Sequence, residues 1–178
     1  MTEHDRHLWI RRKILIMGLP GSGKTTLARA LAPKLGAVHV NADEVRATIS
    51  RDLGFSLADR IEQARRMSAL CDRVIADGRV AIADFVCPNA ETRAAFGSAF
   101  VIFVDRIAQG RFADTNRLFE APTRFDLRVP PNETPDYWAE AAYQHLKNGA
   151  ESDLHPDQEV NSHPSRSTDY FTPSIPVP

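Results

Sequence analysis

Gly18-Leu19-Pro20-Gly21-Ser22-Gly23-Lys24-Thr25 satisfies the spacing G-x-x-x-x-G-K-[ST] at every fixed position. That spacing has a defined chemistry. The glycines admit backbone angles that turn successive N–H groups inward, which makes an anion cradle for a triphosphate. A helix beginning near Gly23 aims its positive end at the same place. Lys24 reaches the β- and γ-phosphates as a point charge, and the Thr25 hydroxyl can ligate Mg²⁺. The expected nucleotide contacts are therefore Gly18, Pro20, Gly21, Ser22, Gly23, Lys24, Thr25 and the adjoining Thr26, with ATP and Mg²⁺ as the cofactors. A chance glycine-rich turn is the competing account. The match lies between an apolar strand and an amphipathic helix, the context that confirms it.

A second set of polar residues follows the next apolar run, in Val40-Asn41-Ala42-Asp43-Glu44-Val45-Arg46. Open α/β sheets bind ligands at the carboxyl ends of their strands. An Asp just past the strand faces that crevice and can accept a proton from a substrate hydroxyl. Arg46, three residues on along a helix, lies on the same side and can hold an acceptor phosphate or the transferring group. Lys24, Asp43 and Arg46 are the catalytic candidates. A capping Asp beside a solvated Arg is the plainer reading of the last two. Asp84, at the end of the apolar run Val80 to Phe85, fits a carboxylate that supports Mg²⁺ through water, so Thr25 and Asp84 form the expected metal side.

The elements that must position these groups alternate in type. Ile10 to Met17, Ala37 to Val40, Val80 to Phe85, Phe100 to Val104 and, more weakly, Phe125 to Val129 read as strands. Helical spacing predicts helices over Gly23 to Leu35, Ala42 to Ser50, Leu57 to Asp77 and Ala90 to Phe96. A further helix starts at Thr134-Pro135-Asp136 and closes at Asn148-Gly149. This alternation predicts an α/β fold, a doubly wound parallel sheet of about five strands of the P-loop kinase type. Three segments are expected: a polar tail over 1–9, the kinase-type domain over 10–149, and a disordered Pro/Ser-rich tail over 150–178.

Longer stretches carry a family likeness. Asn41-Ala42-Asp43-Glu44-Val45-Arg46, Arg51-Asp52-Leu53-Gly54-Phe55-Ser56, Asp59-Arg60 and Arg65-Arg66 resemble the adenylylsulfate kinase family, whose pattern runs D-G-D-N-V-R, R-D-L-G-F-S, D-R and R-R. Phe85-Val86-Cys87-Pro88 is similar to its F-I-S-P, and Phe119-Glu120-Ala121-Pro122 to its Y-E-A-P; the likeness spans about residues 12 to 147. The resemblance implies that Asp43 is the base. It implies that Arg46, Phe55 and Arg60, with Phe85, line the acceptor pocket, and that Arg65 helps bind the acceptor's phosphate. Departures are equally visible. Ser50 stands where the family has Asn, Asn89-Ala90 where it has Tyr-Arg, and Asp84 where it has a small residue. The family's long basic lid is largely absent. Arg106, Arg111 and Arg117 are candidates for the missing charge clamp, against the reading that they are solvated on a surface helix.

Composition narrows the classes. The formal net charge is −1, which excludes strong attraction to nucleic acid or anionic lipid through bulk charge, although 18 of the 22 basic residues are Arg. No apolar run is long enough to cross a bilayer, and Met1–Trp9 lacks the apolar stretch of a secretory signal. Cys71 and Cys87 suggest neither a metal cluster nor a disulfide framework, so a reducing cytoplasm is expected. His39, His145, His155 and His163 show no ligand spacing and read as structural or solvated; Tyr137, Trp138 and Tyr143 read as packing residues. The leading expectation is transfer of a γ-phosphoryl group to a hydroxyl of a small phosphate-bearing acceptor. The rival partner is DNA, through a polynucleotide 5′-hydroxyl kinase or a phage-type kinase for 5-hydroxymethyluracil in DNA. A non-catalytic nucleotide switch is the reading from a different class. No membrane partner is expected, and a homodimer is compatible with all three.

Overall fold

The apolar run that precedes the glycine-rich loop becomes β1 (Lys13–Met17), the central strand of the sheet. In the computed structural model, which describes residues 12–154, four further strands flank it: β2 (Val38–Asn41), β3 (Ala81–Phe85), β4 (Phe100–Val104) and β5 (Leu127–Val129). Their order is β2-β3-β1-β4-β5, and every neighbouring pair is parallel. The helices are α1 (Lys24–Leu35), α2 (Ala42–Thr48), α3 (Leu57–Ala76), α4 (Ala90–Phe96), α5 (Ala113–Leu118) and α6 (Pro135–Leu154). This is the expected doubly wound α/β sheet of five strands.

Strand alternation sends adjacent residues of β1 to opposite faces. Ile14 and Ile16 pack with Leu27, Leu31 and Leu35 of α1 and Ala139, Ala142 and Leu146 of α6. Leu15 and Met17 pack with Ala64, Met67 and Cys71 of α3 and Phe96 of α4. Both faces are covered, which explains why β1 is apolar throughout instead of alternating with polar residues. Cys71 and Cys87 are free thiols, both buried. Trp138 and Tyr143 pack against the first of these cores, as their spacing suggested, whereas Tyr137 is exposed.

Local chemistry sets the element ends. Ser56 and Asp59 form a reciprocal cap on α3, and Asn89 and Thr92 do the same for α4. Thr134 accepts from the Tyr137 N–H at 3.2 Å, with Pro135 at the first helical position of α6, as expected. The other end of α6 differs from expectation. The helix passes through Asn148-Gly149 and runs to Leu154. A single glycine costs a helix only about 1 kcal/mol, and the next proline is Pro156, so nothing stops the helix at Gly149. The proposed boundary at 149/150 therefore falls inside a helix. The expected tail over 1–9 and residues 155–178 of the one expected over 150–178, like residues 10 and 11 of the first strand, lie outside the described residues. The short helix α5 lies between β4 and β5, and of the three arginines read there as solvated on a surface helix only Arg117 is on it. No helix among the described residues is long and apolar enough to cross a membrane.

Candidate active site

The chain leaves β1 through Gly18, at φ +149°, and an added Cβ there would stand 2.4 Å from the Val104 carbonyl oxygen. Only glycine lets the turn pass so close to β4. Gly18→Ala is expected to lose at least about 2 kcal/mol of stability in urea denaturation, because it combines a backbone overlap with an unfavourable φ. Gly21 and Gly23, at φ +88° and +101°, complete the turn, and the Ser22 N–H donates to the Leu19 carbonyl at 3.1 Å. Gly23 is the N-cap of α1 and offers no side-chain acceptor; the first turn carries no acidic residue. The positive end of the helix is left uncompensated beside the loop, as an anion site requires.

Lys24 is buried, and its Nζ donates to the Leu19 carbonyl at 2.9 Å. Burial pushes its ammonium down to about 8, against the attraction of Asp84 and then Asp43. A cation held this way gains when a phosphate supplies the missing counter-charge.

Behind Lys24 the ends of β2 and β3 form a hydrogen-bonded cluster. Asn41 and Asp84 are direct partners in the parallel register. Asp84 is only 2% exposed. Its Oδ2 accepts from Thr25 Oγ1 at 2.5 Å, and its Oδ1 accepts from Asn41 Nδ2 at 2.9 Å and His39 Nε2 at 2.8 Å. Burial would raise this carboxyl, but the bonds from His39, Thr25 and Asn41 outweigh burial and hold it below the usual carboxylate range. Asn41 has a second task, because its Oδ1 caps α2 by accepting the Glu44 N–H at 3.0 Å. One amide thus fixes Asp84 and also the first turn of α2, which carries Asp43. In the family pattern a carboxylate precedes the Gly-Asp pair, where Asn41 stands here. In this chain the carboxylate is on the adjacent strand, directly opposite, and Asn41 is its donor. An Asp at 41 would put two carboxylates in contact.

The acceptor side lies across a cleft of about 650 Å³ whose lining includes Lys24, Thr25, Thr26, Asp43, Asp84 and Phe85. Pro20, Gly21 and Gly23 border it from the loop, and Arg46, Phe55 and Arg60 from the other wall. Arg46 donates to the Gly54 carbonyl at 2.7 Å, and its guanidinium lies 4.7 Å from the centre of the Phe55 ring. Arg60 is buried. Its Nε donates to the Phe55 carbonyl at 2.9 Å, and its Nη2 reaches Asp114 at 3.1 Å and Thr115 at 3.2 Å on α5. Phe55 itself is 67% exposed, an aromatic face backed by two guanidinium groups and open to a planar ligand.

Three expected site residues are not on this wall. Gly18 and Ser22 do not border the cleft; the Ser22 side chain is buried beside Gly18, within 3.1 Å of where a Cβ would stand. Arg65 points away: its side chain is 64% exposed and lies 3.7 Å from Glu62 on the outer face of α3. The reason is helical phase. Five residues beyond Arg60 is roughly 140° around the helix, so the two side chains cannot face the same cleft. Arg66 is likewise engaged elsewhere, in a paired contact with Asp52 at 2.7 and 2.8 Å that braces the loop carrying Phe55.

The structure adds residues that sequence reasoning missed. His39 shows no ligand spacing in the sequence, and in the structure it holds Asp84. The signal was its position two residues before Asn41, on the same face of β2. Gln63, Phe112 and Thr115 also line the cleft, and so does Arg111, one of the three arginines offered as a clamp; Arg117 is exposed and does not. The turns Phe85–Pro88 and Phe119–Pro122 are joined by a 2.7 Å bond from the Glu120 N–H to the Pro88 carbonyl. Cys87, at φ +47°, bends the chain sharply out of β3 at this junction.

The donor set suits a hard divalent cation. Thr25 and Asp84 offer oxygen only, and Asp84 is kept ionised. Among the described residues no group of three or more His, Cys, Asp or Glu is placed to hold a metal. A cation here would share phosphate and water oxygens, which is the habit of Mg²⁺.

Comparison with known proteins agrees with this geometry. The adenylylsulphate kinase family model matches residues 11–107. An adenylyl-sulfate kinase of Paraburkholderia xenovorans is 33% identical over 157 residues, covering 69% of this chain and 88% of that protein. One from Bacteroides fragilis is 34% identical over 101 residues, covering 52% of this chain and 50% of that protein, so the chain matches only half the length of that relative. Among solved structures, a Mycobacterium tuberculosis APS kinase in complex with AMPPNP and APS has a TM-score of 0.68 and 25% identity, covering 76% of this chain and 97% of that one. A family match over more than half the chain, a relative matched over most of its length and a shared fold lead to one conclusion: this chain belongs to the adenylylsulfate kinase family of P-loop kinases.

Proposed function

We propose that the chain transfers the γ-phosphoryl group of ATP, with Mg²⁺, to a hydroxyl of a small phosphate-bearing acceptor of the adenylylsulfate kind. One observation carries this reading: the phosphate loop with Lys24 and Asp43 with Arg46 and Phe55 border the same cleft. Asp43, exposed at the start of α2, accepts the proton of the acceptor hydroxyl. The freed oxygen attacks the γ-phosphorus, and the bond to the β–γ bridging oxygen breaks to leave ADP. Lys24 balances the charge that develops on the β- and γ-phosphate oxygens. Arg46 and Arg60 supply positive charge on the acceptor side, where Phe55 offers a stacking face. Thr25 and Asp84 would hold the cation, which when bound neutralises phosphate charge. The cavity is of a size that takes small molecules, and the near-neutral chain lacks the electrostatic footprint of a DNA-binding protein.

The test is transfer from γ-labelled ATP to adenylylsulfate, to DNA with a 5′-hydroxyl and to DNA containing 5-hydroxymethyluracil. Adenylylsulfate is the acceptor expected to take label. Label on either DNA would move the assignment to a nucleic-acid kinase, and label on none would leave a non-catalytic nucleotide switch.

A further inference from the structure

The connection 105–112 between β4 and α5 stands where the family pattern has its long basic lid, and it is fixed in place at three points. At its root the Asp105 N–H donates to the Val129 carbonyl at 2.9 Å, and the Asp105 carboxylate pairs with Arg128 at 2.9 and 2.5 Å. Near its far end Asn116 clasps Gly110 twice: Oδ1 accepts the Gly110 N–H and Nδ2 donates to the Gly110 carbonyl, both at 2.9 Å. At Gly110 it also rests on the phosphate loop. A Cβ on Gly110 would stand 3.0 Å from the Pro20 carbonyl oxygen, so a larger residue there must push the strap and the loop apart.

Arg106 is the second residue of this strap. Its Nη1 lies 3.3 Å from where a Cβ of Gly23 would stand, at the N-cap of α1. Its Nε is buried and has no hydrogen-bond partner among the described residues. A buried guanidinium N–H without an acceptor is costly, and the Nη1 of the same guanidinium reaches a helix N-terminus that also lacks a counter-charge. Lys24, on the same turn, is a buried cation whose hydrogen bond goes to a backbone carbonyl. Lys24 and the helix end border the cleft, Arg106 stands beside Gly23 without lining it, and the group whose charge would answer all three is a polyphosphate.

We propose that Arg106 is a ligand of the donor nucleotide's phosphates, delivered by a strap that is pinned to the loop instead of closing over it. The inference rests on the reading of this loop as an ATP site. Sequence spacing did not separate Arg106 from Arg111 and Arg117. Only the first lies against Gly23, because it follows β4 directly and β4 adjoins β1.

The test is calorimetric titration of the whole chain with Mg²⁺–ATP and, separately, with inorganic tripolyphosphate, for the wild type, Arg106→Gln and Gly110→Val. Arg106→Gln is expected to weaken both ligands by the same factor, about 10- to 100-fold, the range of a charge-assisted bond. Gly110→Val keeps every charge but lifts the strap from Pro20, and is expected to weaken both ligands in the same way. Melting curves establish that the variants are folded. Unchanged affinity in folded Arg106→Gln, with wild-type ATP binding intact, overturns the inference and leaves the ATP reading standing. A loss for ATP without a loss for tripolyphosphate also overturns it, since the contact would then be to base or sugar. Should the wild type bind neither ligand, the ATP reading fails and this proposal with it.

Discussion

Lys24→Ala is expected to abolish phosphoryl transfer while the melting temperature stays at or slightly above the wild-type value. The side chain is a buried cation for which the cost of burial outweighs the attraction of Asp84 and Asp43, and its hydrogen bond is to the Leu19 carbonyl, so its removal costs the fold little. In the reaction it opposes charge on the β- and γ-phosphates, and losses of this kind amount to several kcal/mol of transition-state stabilisation. Near-normal turnover by the variant would sink the kinase reading.

The same lysine predicts a pH signature. Its ammonium is lowered from the ordinary 10.5 to about 8 in the free protein. Below about pH 8 both folded and unfolded chains hold the proton, so stability carries no dependence from this group. Between about pH 8 and about pH 10.5 the unfolded chain holds more protons, so this group raises stability with pH across that window. Bound triphosphate restores the proton. ATP affinity is therefore expected to fall as pH rises through 8, with proton uptake on binding. Lys24→Arg, which keeps its charge throughout, should flatten the profile. Calorimetry in two buffers of different ionisation enthalpy measures the uptake directly.

Asp43→Asn and Asp84→Asn are expected to separate the acceptor side from the metal side. Asp43 is exposed in the cleft, and its amide variant keeps shape but cannot take a proton. Turnover should drop by about two to four orders of magnitude, with ATP affinity within about threefold of wild type. Asp84 is buried and accepts from Thr25, Asn41 and His39. Its amide variant sets an NH₂ group against donors, so it should lose stability and also shift the Mg²⁺ concentration needed for half-maximal rate. If Asp43→Asn keeps full turnover while Asp84→Asn loses it, Asp84 is the base and the roles exchange.

Much of this molecule follows from local rules. The glycine spacing before Lys24 requires a phosphate-binding turn, because only those residues allow its backbone angles. The alternation of apolar runs with helical stretches requires a parallel sheet, because each strand must be covered on both faces. Strand tips carry the ligand groups in such a sheet, so Asp43 and Asp84 were identifiable from their positions just past apolar runs or at their ends.

What the spacing did not determine depends on which strands are neighbours and on where each side chain points. Arg65 belongs to a motif that reads as one acceptor-binding block, yet helical phase turns it away from Arg60. His39 is unremarkable along the chain and becomes part of the site only because β2 pairs with β3 in a register that sets Asn41 against Asp84. Arg106 was one of three equivalent arginines until the placement of β4 beside β1 brought it to Gly23. By itself the sequence determined the phosphate loop, the fold class and the strand-tip carboxylates, since each rests on chain geometry within a few residues. Tertiary structure alone decided which carboxylate meets Thr25 and which arginine meets the loop. Those contacts join residues far apart in sequence, through strand order and register that no local spacing encodes.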